Sequence, residues 1–160
     1  MGELILYTTE DGQSRIQLRA DNDTVWLTQL EMAELFSATK QNISLHLKNL
    51  FEDRELDDAA VVKKSLTTAS DGKAYRTKLY NLDAILAVGY RVRSPRGAQF
   101  RRWATTVLSE YLRKGFVMDD ERLKNPDGRP DYFDEMLARI RDIRASEKRF
   151  YQKVRDLFAL

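Results

Sequence analysis

The chain has 160 residues, 42% of them apolar and 32% charged, with a formal net charge of +2, one histidine and no cysteine. That length and apolar content suit one domain with an extension, or two small units, and exclude a wholly disordered chain. With no cysteine there is no disulfide framework, thiolate zinc site or cysteine nucleophile; a lone His46 argues against a histidine metal site or catalytic triad; and no apolar run approaches membrane-spanning length.

In chain order, Leu4, Leu6 and Thr8 alternate with polar or opposite-face residues and give a strand-like opening, and Glu10-Asp11-Gly12 is a turn signal. Ile16 and Leu18 alternate with Arg15, Gln17 and Arg19, then Asp21-Asn22-Asp23 turns the chain into a short third strand over residues 24–27. This predicts an N-terminal β-meander, with Trp26 as a core anchor. Residues 28–50 read as two helices joined by a tight turn. Thr28 and Glu31 have the spacing of a capping box, and Leu30, Met32, Ala33, Leu35 and Phe36 supply the first apolar face. The turn falls at Phe36-Ser37-Ala38, where a glycine is common, and Thr39 can cap the second helix. Ile43, Leu47 and Leu50 make its buried stripe. Its other face carries Lys40, Gln41, Asn42, Ser44, Leu45 and Lys48, side-chain types that bond adenine, guanine or phosphate in a DNA major groove. An ordinary helical hairpin with a solvated face is the competing reading.

Residues 51–58 are acidic and should face away from DNA. Residues 61–68 are β-branched, Ser70-Asp71-Gly72-Lys73 is a hairpin turn, and residues 74–80 return as the partner strand. The hairpin carries Lys63, Lys64, Lys73, Arg76 and Lys78 against one acid, Asp71. Placed after two hinged helices it reads as the wing of a winged helix-turn-helix, able to lie on the phosphate backbone or dip into the minor groove. The charge is unevenly spread: residues 1–60 hold 5 basic and 12 acidic side chains (net −7), residues 61–118 hold 12 and 3 (net +9), and residues 119–160 hold 10 of each. Such a basic middle suits a phosphate-binding surface, or else meets the acidic residues of its own chain.

Asn81 caps a helix to about Arg91 with Leu82, Ile85, Leu86 and Tyr90 inward. Ser94-Pro95 restarts a helix that ends at Lys114-Gly115 and buries Ala98, Phe100, Trp103, Val107, Leu108 and Tyr111. Arg91, Arg93, Arg96 and Arg101 around its start are candidate phosphate contacts; pairing with the acidic 52–58 segment is the alternative. His46 could reach a phosphate or pack beside Leu47. Residues 119–131, with Asn125-Pro126-Asp127-Gly128, read as a linker. From residue 132 one last helix should run to the end. Phe133, Met136, Ile140, Ile143, Glu147, Phe150, Val154 and Leu157 form a heptad seam with a polar interruption at Glu147. Pairing of this seam with a second copy is preferred over its folding back on its own chain.

The block from Tyr80 to Val92 (YNLDAILAVGYRV), with Ser94, Phe100, Arg102, Trp103, Ala104, Leu108, Tyr111 and Lys114-Gly115-Phe116, resembles the virulence protein RhuM family. So does the opening pattern Trp26-Leu27-Thr28-Gln29 with Met32-Ala33-Glu34-Leu35-Phe36. A looser similarity is to the Bro-N and KilA-N domains of phage antirepressors. The resemblance implies a bacterial DNA-binding protein of mobile or pathogenicity-associated elements. It carries no catalytic residues over, and it implies a further helical region beyond Leu160.

The expected fold is therefore α+β: a winged helix-turn-helix with an N-terminal β-meander over residues 1–118, a linker over 119–131, and a long heptad helix over 132–160. The expected function is DNA binding and transcription regulation by a cytoplasmic homodimer. Double-stranded DNA is the partner, with no catalysis, cofactor, metal, membrane segment or small-molecule ligand. The alternatives are an antirepressor-like protein-interaction module and a nuclease of a defence or toxin system.

Overall fold

The computed structural model describes residues 3–8, 15–21, 24–126 and 131–159, with side chains from residue 24 onward other than 67, 147, 148 and 150. The fold is α+β, with helices around small antiparallel sheets, and it divides into two compact units, Met1–Met118 and Asp119–Leu160. The turns expected at residues 10–12 and 22–23, the 127–128 part of the expected linker turn, and the side chain of Phe150 lie outside the described residues.

In the first unit, β1 (Glu3–Thr8), β2 (Arg15–Asp21) and β3 (Thr24–Val25) pair antiparallel in that order. Strand alternation continues past β3. Val25 and Leu27 are buried, so Trp26 points to the other side, half-buried. Trp26 is thus not a core anchor; its ring takes the ammonium of Lys63, 4.2 Å from the centroid.

Helix α1 (Gln29–Phe36) opens with the expected capping box: Thr28 N donates to Glu31 Oε1 at 3.0 Å, and Glu31 N donates to Thr28 Oγ1 at 3.1 Å. Met32, Ala33, Leu35 and Phe36 are buried. Leu30 is not, because at 100° per residue it lies opposite the centre of that stripe. Ser37 takes the left-handed conformation (φ 49°, ψ 49°) where the turn would favour glycine. Helix α2 (Lys40–Glu52) follows, capped by Thr39, whose Oγ1 accepts from Asn42 N at 3.1 Å. Ile43, Leu47 and Leu50 form its buried stripe, as their spacing requires.

The acidic stretch then holds a short helix, α3 (Asp58–Val61), which sequence periodicity did not suggest. Asp57 caps it by accepting from Ala59 N at 3.2 Å. Strands β4 (Val62–Thr68) and β5 (Ala74–Tyr80) form a hairpin in full register from Val62↔Tyr80 to Thr68↔Ala74. Leu27 exchanges two backbone hydrogen bonds with Tyr80, of 2.9 and 2.8 Å, and so ties the hairpin base to the entry of α1.

Helix α4 (Leu82–Arg91) starts at the Asn81 cap, which accepts from Ala84 N at 3.2 Å. Its buried residues are Ala84, Ile85, Val88 and Gly89, with Leu82 and Leu86 half-covered and Tyr90 exposed. Helix α5 (Pro95–Lys114) has the expected Ser94 cap, Pro95 start and Gly115 end, with Gly115 at φ 82°. Phe100 sits at the centre of the core, edge-on to Phe36 at 5.4 Å and beside Trp103 at 5.8 Å. A methyl at Gly89 would collide with the Phe100 ring, so glycine is what lets α4 and α5 approach. Only the first half of α5 is buried. At 20 residues it is about 30 Å long and outruns the core, which leaves Leu108 and Tyr111 exposed instead of buried.

The second unit holds α6 (Asp120–Lys124), α7 (Phe133–Ala145) and α8 (Glu147–Phe158). Helix α6 lies in the segment read as linker. Asp119 caps it by accepting from Arg122 N at 3.1 Å, with acids in its first turn and bases in its last. The single heptad helix is replaced by two. Ser146 is extended (φ −60°, ψ 112°) and breaks the seam beside its polar interruption, serine being a residue that favours helix ends. Of the seam, Met136 and Val154 are half-buried, while Phe133, Ile140, Ile143 and Leu157 are exposed.

Candidate nucleic-acid interface

The first unit turns one polar face outward on α2. Because Ile43, Leu47 and Leu50 face the core, Thr39, Lys40, Gln41, Asn42, Ser44 and Lys48 are left exposed. The groove along this face is lined by Gln29, Lys40, Gln41, Ser44, Leu45 and Lys48. Lys48 makes a long 3.9 Å pair with Glu52, with both side chains mostly in water, where such a pair contributes little.

The hairpin register sorts its side chains. Val62, Lys64 and Leu66 share a face with their partners Tyr80, Lys78 and Arg76; Lys63, Ser65, Thr77 and Leu79 share the other. The first face is exposed outward of its base and carries Lys64, Lys78 and Arg76, with Leu66 70% exposed among them. Lys64 stands directly opposite Lys78. Like charges in that position destabilise a sheet unless an anion offsets them. The second face is half-covered, and Lys63 is engaged there by Trp26.

Gln29 joins the two surfaces. Its side chain donates to the Tyr80 hydroxyl at 2.9 Å, at the base of the basic face, and it also lines the α2 groove. Gln29 therefore links the α2 groove to the buried base of the hairpin. Sequence reasoning overlooked Gln29, and no local pattern marks a contact 51 residues distant.

The hairpin tip is held locally. Gly72 N donates to Ala69 O at 2.9 Å and Ala69 N to Lys73 O at 3.0 Å, with Gly72 at φ 80°, the loop form that places glycine in the left-handed region. Asp71 accepts from Lys73 N at 2.9 Å and from the Tyr75 hydroxyl at 2.8 Å. These bonds hold its carboxyl below the usual range and raise the Tyr75 phenol. The single acid of the hairpin thus organises the tip, and Lys73 is exposed at its end.

The arginines divide by role. Arg91 reaches Asp53 at 3.3 Å and Glu55 at 3.5 Å, so it meets the acidic segment of its own chain. Arg101 donates to the carbonyls of Gly89 and Val92 at the end of α4, an arginine satisfying helix C-terminal acceptors. Arg96 is half-buried and Arg93 exposed. Arg93 lines a cleft with Thr39, Asn42, His46 and Arg91 beside the start of α2. Burial, then the fields of Arg91 and Arg93, lower the pKa of His46. Among the described residues, no group of three or more His, Asp or Glu is placed to hold a metal ion, and no helix is long and apolar enough to cross a membrane.

In comparisons with known proteins, no curated protein and no solved structure matches the chain. The looser similarity to Bro-N and KilA-N domains is not shown by them. The model of the virulence protein RhuM family matches residues 60–160, from the hairpin through α4, α5 and the second unit. That match covers more than half of the sequence, including the 80–92 block and the Phe100–Trp103 helix; the chain belongs to the virulence protein RhuM family.

Proposed function

We propose that this chain is a DNA-binding protein, a transcriptional regulator of a mobile or pathogenicity-associated element, built on a winged helix-turn-helix. In this reading α1 and α2 are the helix-turn-helix, and α2 enters the major groove with Thr39, Lys40, Gln41, Asn42, Ser44 and Lys48. The β4–β5 hairpin is the wing, with Lys64, Arg76 and Lys78 on the backbone and Lys73 at the tip. The observation that carries it is the link from the α2 groove to the hairpin base through Gln29 and Tyr80, beside the exposed cations of the hairpin. A like-charge pair such as Lys64 opposite Lys78 costs stability unless a polyanion is its partner. Arg93 and the His46 cleft supply one further phosphate contact; Arg91 and Arg101 are occupied within the fold. Lys63 serves Trp26 rather than DNA.

Two copies pair through the apolar residues of α7 and α8, Phe133, Met136, Ile140, Ile143, Phe150, Val154 and Leu157, of which Phe133, Ile140, Ile143 and Leu157 lie exposed in the single chain. A dimer suits a binder of symmetric half-sites.

The test is the salt dependence of binding to random-sequence duplex, read by fluorescence anisotropy. Each neutralised phosphate contributes about −0.9 to the slope of log K against log salt. Replacing both Lys64 and Lys78 by Ala therefore reduces the magnitude of the slope by about 1.8. An unchanged slope removes the hairpin from the interface.

A protein-interaction module is the second reading. It is favoured by the exposed apolar run at the end of α5 and beyond it: Leu108, Tyr111, Leu112, Phe116, Val117 and Met118. Binding that is indifferent to salt, or absent with DNA, moves the assignment there.

A further inference from the structure

One side chain on the outward face of α2 does not fit the polar company it keeps. Leu45 is 54% exposed. The helix needs no fourth apolar residue for its core, since Ile43, Leu47 and Leu50 already form a continuous buried stripe. Leu45 instead lines the groove with Gln41 and Lys48, four residues before it and three after it on the same helix face, and with the adjacent Ser44. A leucine there loses free energy to water in the free protein and gains only against an apolar partner.

The groups around it indicate which partner. Glutamine and asparagine make paired hydrogen bonds to adenine N6 and N7 in the major groove, and the base opposite adenine presents the one apolar group of that groove, the thymine 5-methyl. Gln41 and Asn42 lie one turn and just under one turn before Leu45. An amide on adenine and an apolar side chain on the neighbouring or opposite thymine are then reached from one helix face. Resting on the DNA-binding reading above, we infer that Leu45 is a specificity-determining residue that packs on thymine 5-methyl groups, so that α2 prefers sites containing A·T base pairs.

The experiment first selects bound sequences from a random duplex pool at about 50 mM salt, in the range where phosphate contacts dominate. The preferred duplex is then synthesised with uracil in place of thymine, which removes the methyl and leaves Watson–Crick pairing intact. Wild-type protein should bind the uracil duplex about fourfold more weakly for each methyl that it covers. Leu45→Ala should bind the thymine and uracil duplexes equally, with a salt slope like that of the wild type. Its exposure predicts an unchanged thermal midpoint, which shows that the variant is folded. Equal binding of the two duplexes by the wild type overturns the inference while leaving DNA binding standing. So does retention of the thymine preference in Leu45→Ala. Recovery of no duplex at all overturns both.

Discussion

Ser94 shows how a single side chain can do more than its local pattern suggests. Its hydroxyl accepts from Gly97 N at 2.9 Å, as an N-cap does, and it also donates to the carbonyl of Phe36 at the end of α1. Ser94→Ala removes the cap and leaves a helix-end acceptor without its partner. It should cost about 1–3 kcal/mol in urea denaturation. A change below a few tenths would mean that water replaces both bonds. The cap was legible from Ser-Pro; the bond to Phe36 was not, because it spans 58 residues. Arg101 is a similar case. It reads as one more cation in a basic run, yet its guanidinium is committed to the carbonyls that close α4. His46 adds a pH dependence. Its folded pKa lies below the ordinary 6.5 because of burial and the two arginines, so the unfolded chain binds the proton first on acidification. Stability should therefore be unaffected above about pH 7 and fall as pH drops below about 6.5. The His46→Gln variant should lack that fall. DNA phosphate in the cleft would offset the arginine field, and an NMR titration should find the His46 midpoint higher in the complex than in the free protein.

Among the elements, those written in local signals were readable and those set by tertiary reach were not. The capping box at Thr28, the caps at Thr39 and Asn81, the Asp-Gly turn and the Pro95 and Gly115 boundaries all depend on residues within about four positions of each other. The buried stripe of α2 follows from spacing alone, and with it the exposed face proposed to meet DNA. Burial of the end of α5 could not be read in this way. Its periodicity continues through Leu108 and Tyr111, but both are exposed, past the last buried residue of the helix, Ala104. Hairpin register is an intermediate case. Alternation separates Lys63 from Lys64, but only the contact with Trp26 shows which strand face is spent inside the fold. The heptad reading failed at Ser146, where the extended backbone of a residue that favours helix ends divides the apolar repeat between two helices. The proposed pairing of α7 and α8 between copies is testable at this scale. Replacing Ile140 and Ile143 by Asp should halve the mass found by sedimentation equilibrium. If the wild type is itself a monomer at micromolar concentration, the dimer proposal fails.

Over the whole molecule, charge distribution carries the functional argument. The acidic first third and the basic middle third partly answer one another, through Arg91 with Asp53 and Glu55. On the α2 face Lys48 makes a long 3.9 Å pair with Glu52; among the described residues no such pair joins the other cations of that face and of the outward hairpin face. Lys40, Lys64, Lys73, Arg76 and Lys78 are exposed, and no acid of the hairpin offsets them, Asp71 being bound into the tip. That these cations together bind DNA is the central proposal. The most direct measurement is an electrophoretic mobility shift on genomic and random duplex DNA at two salt concentrations, beside a variant with Lys40, Gln41 and Asn42 replaced by Ala. These three side chains are exposed, so the variant should fold as the wild type does. The account predicts a shift that weakens steeply with salt and, in the variant, a loss of preference for selected sequences with residual nonspecific binding through the hairpin. A complete lack of shift at low salt, or a variant that selects the same sequences as the wild type, would contradict it.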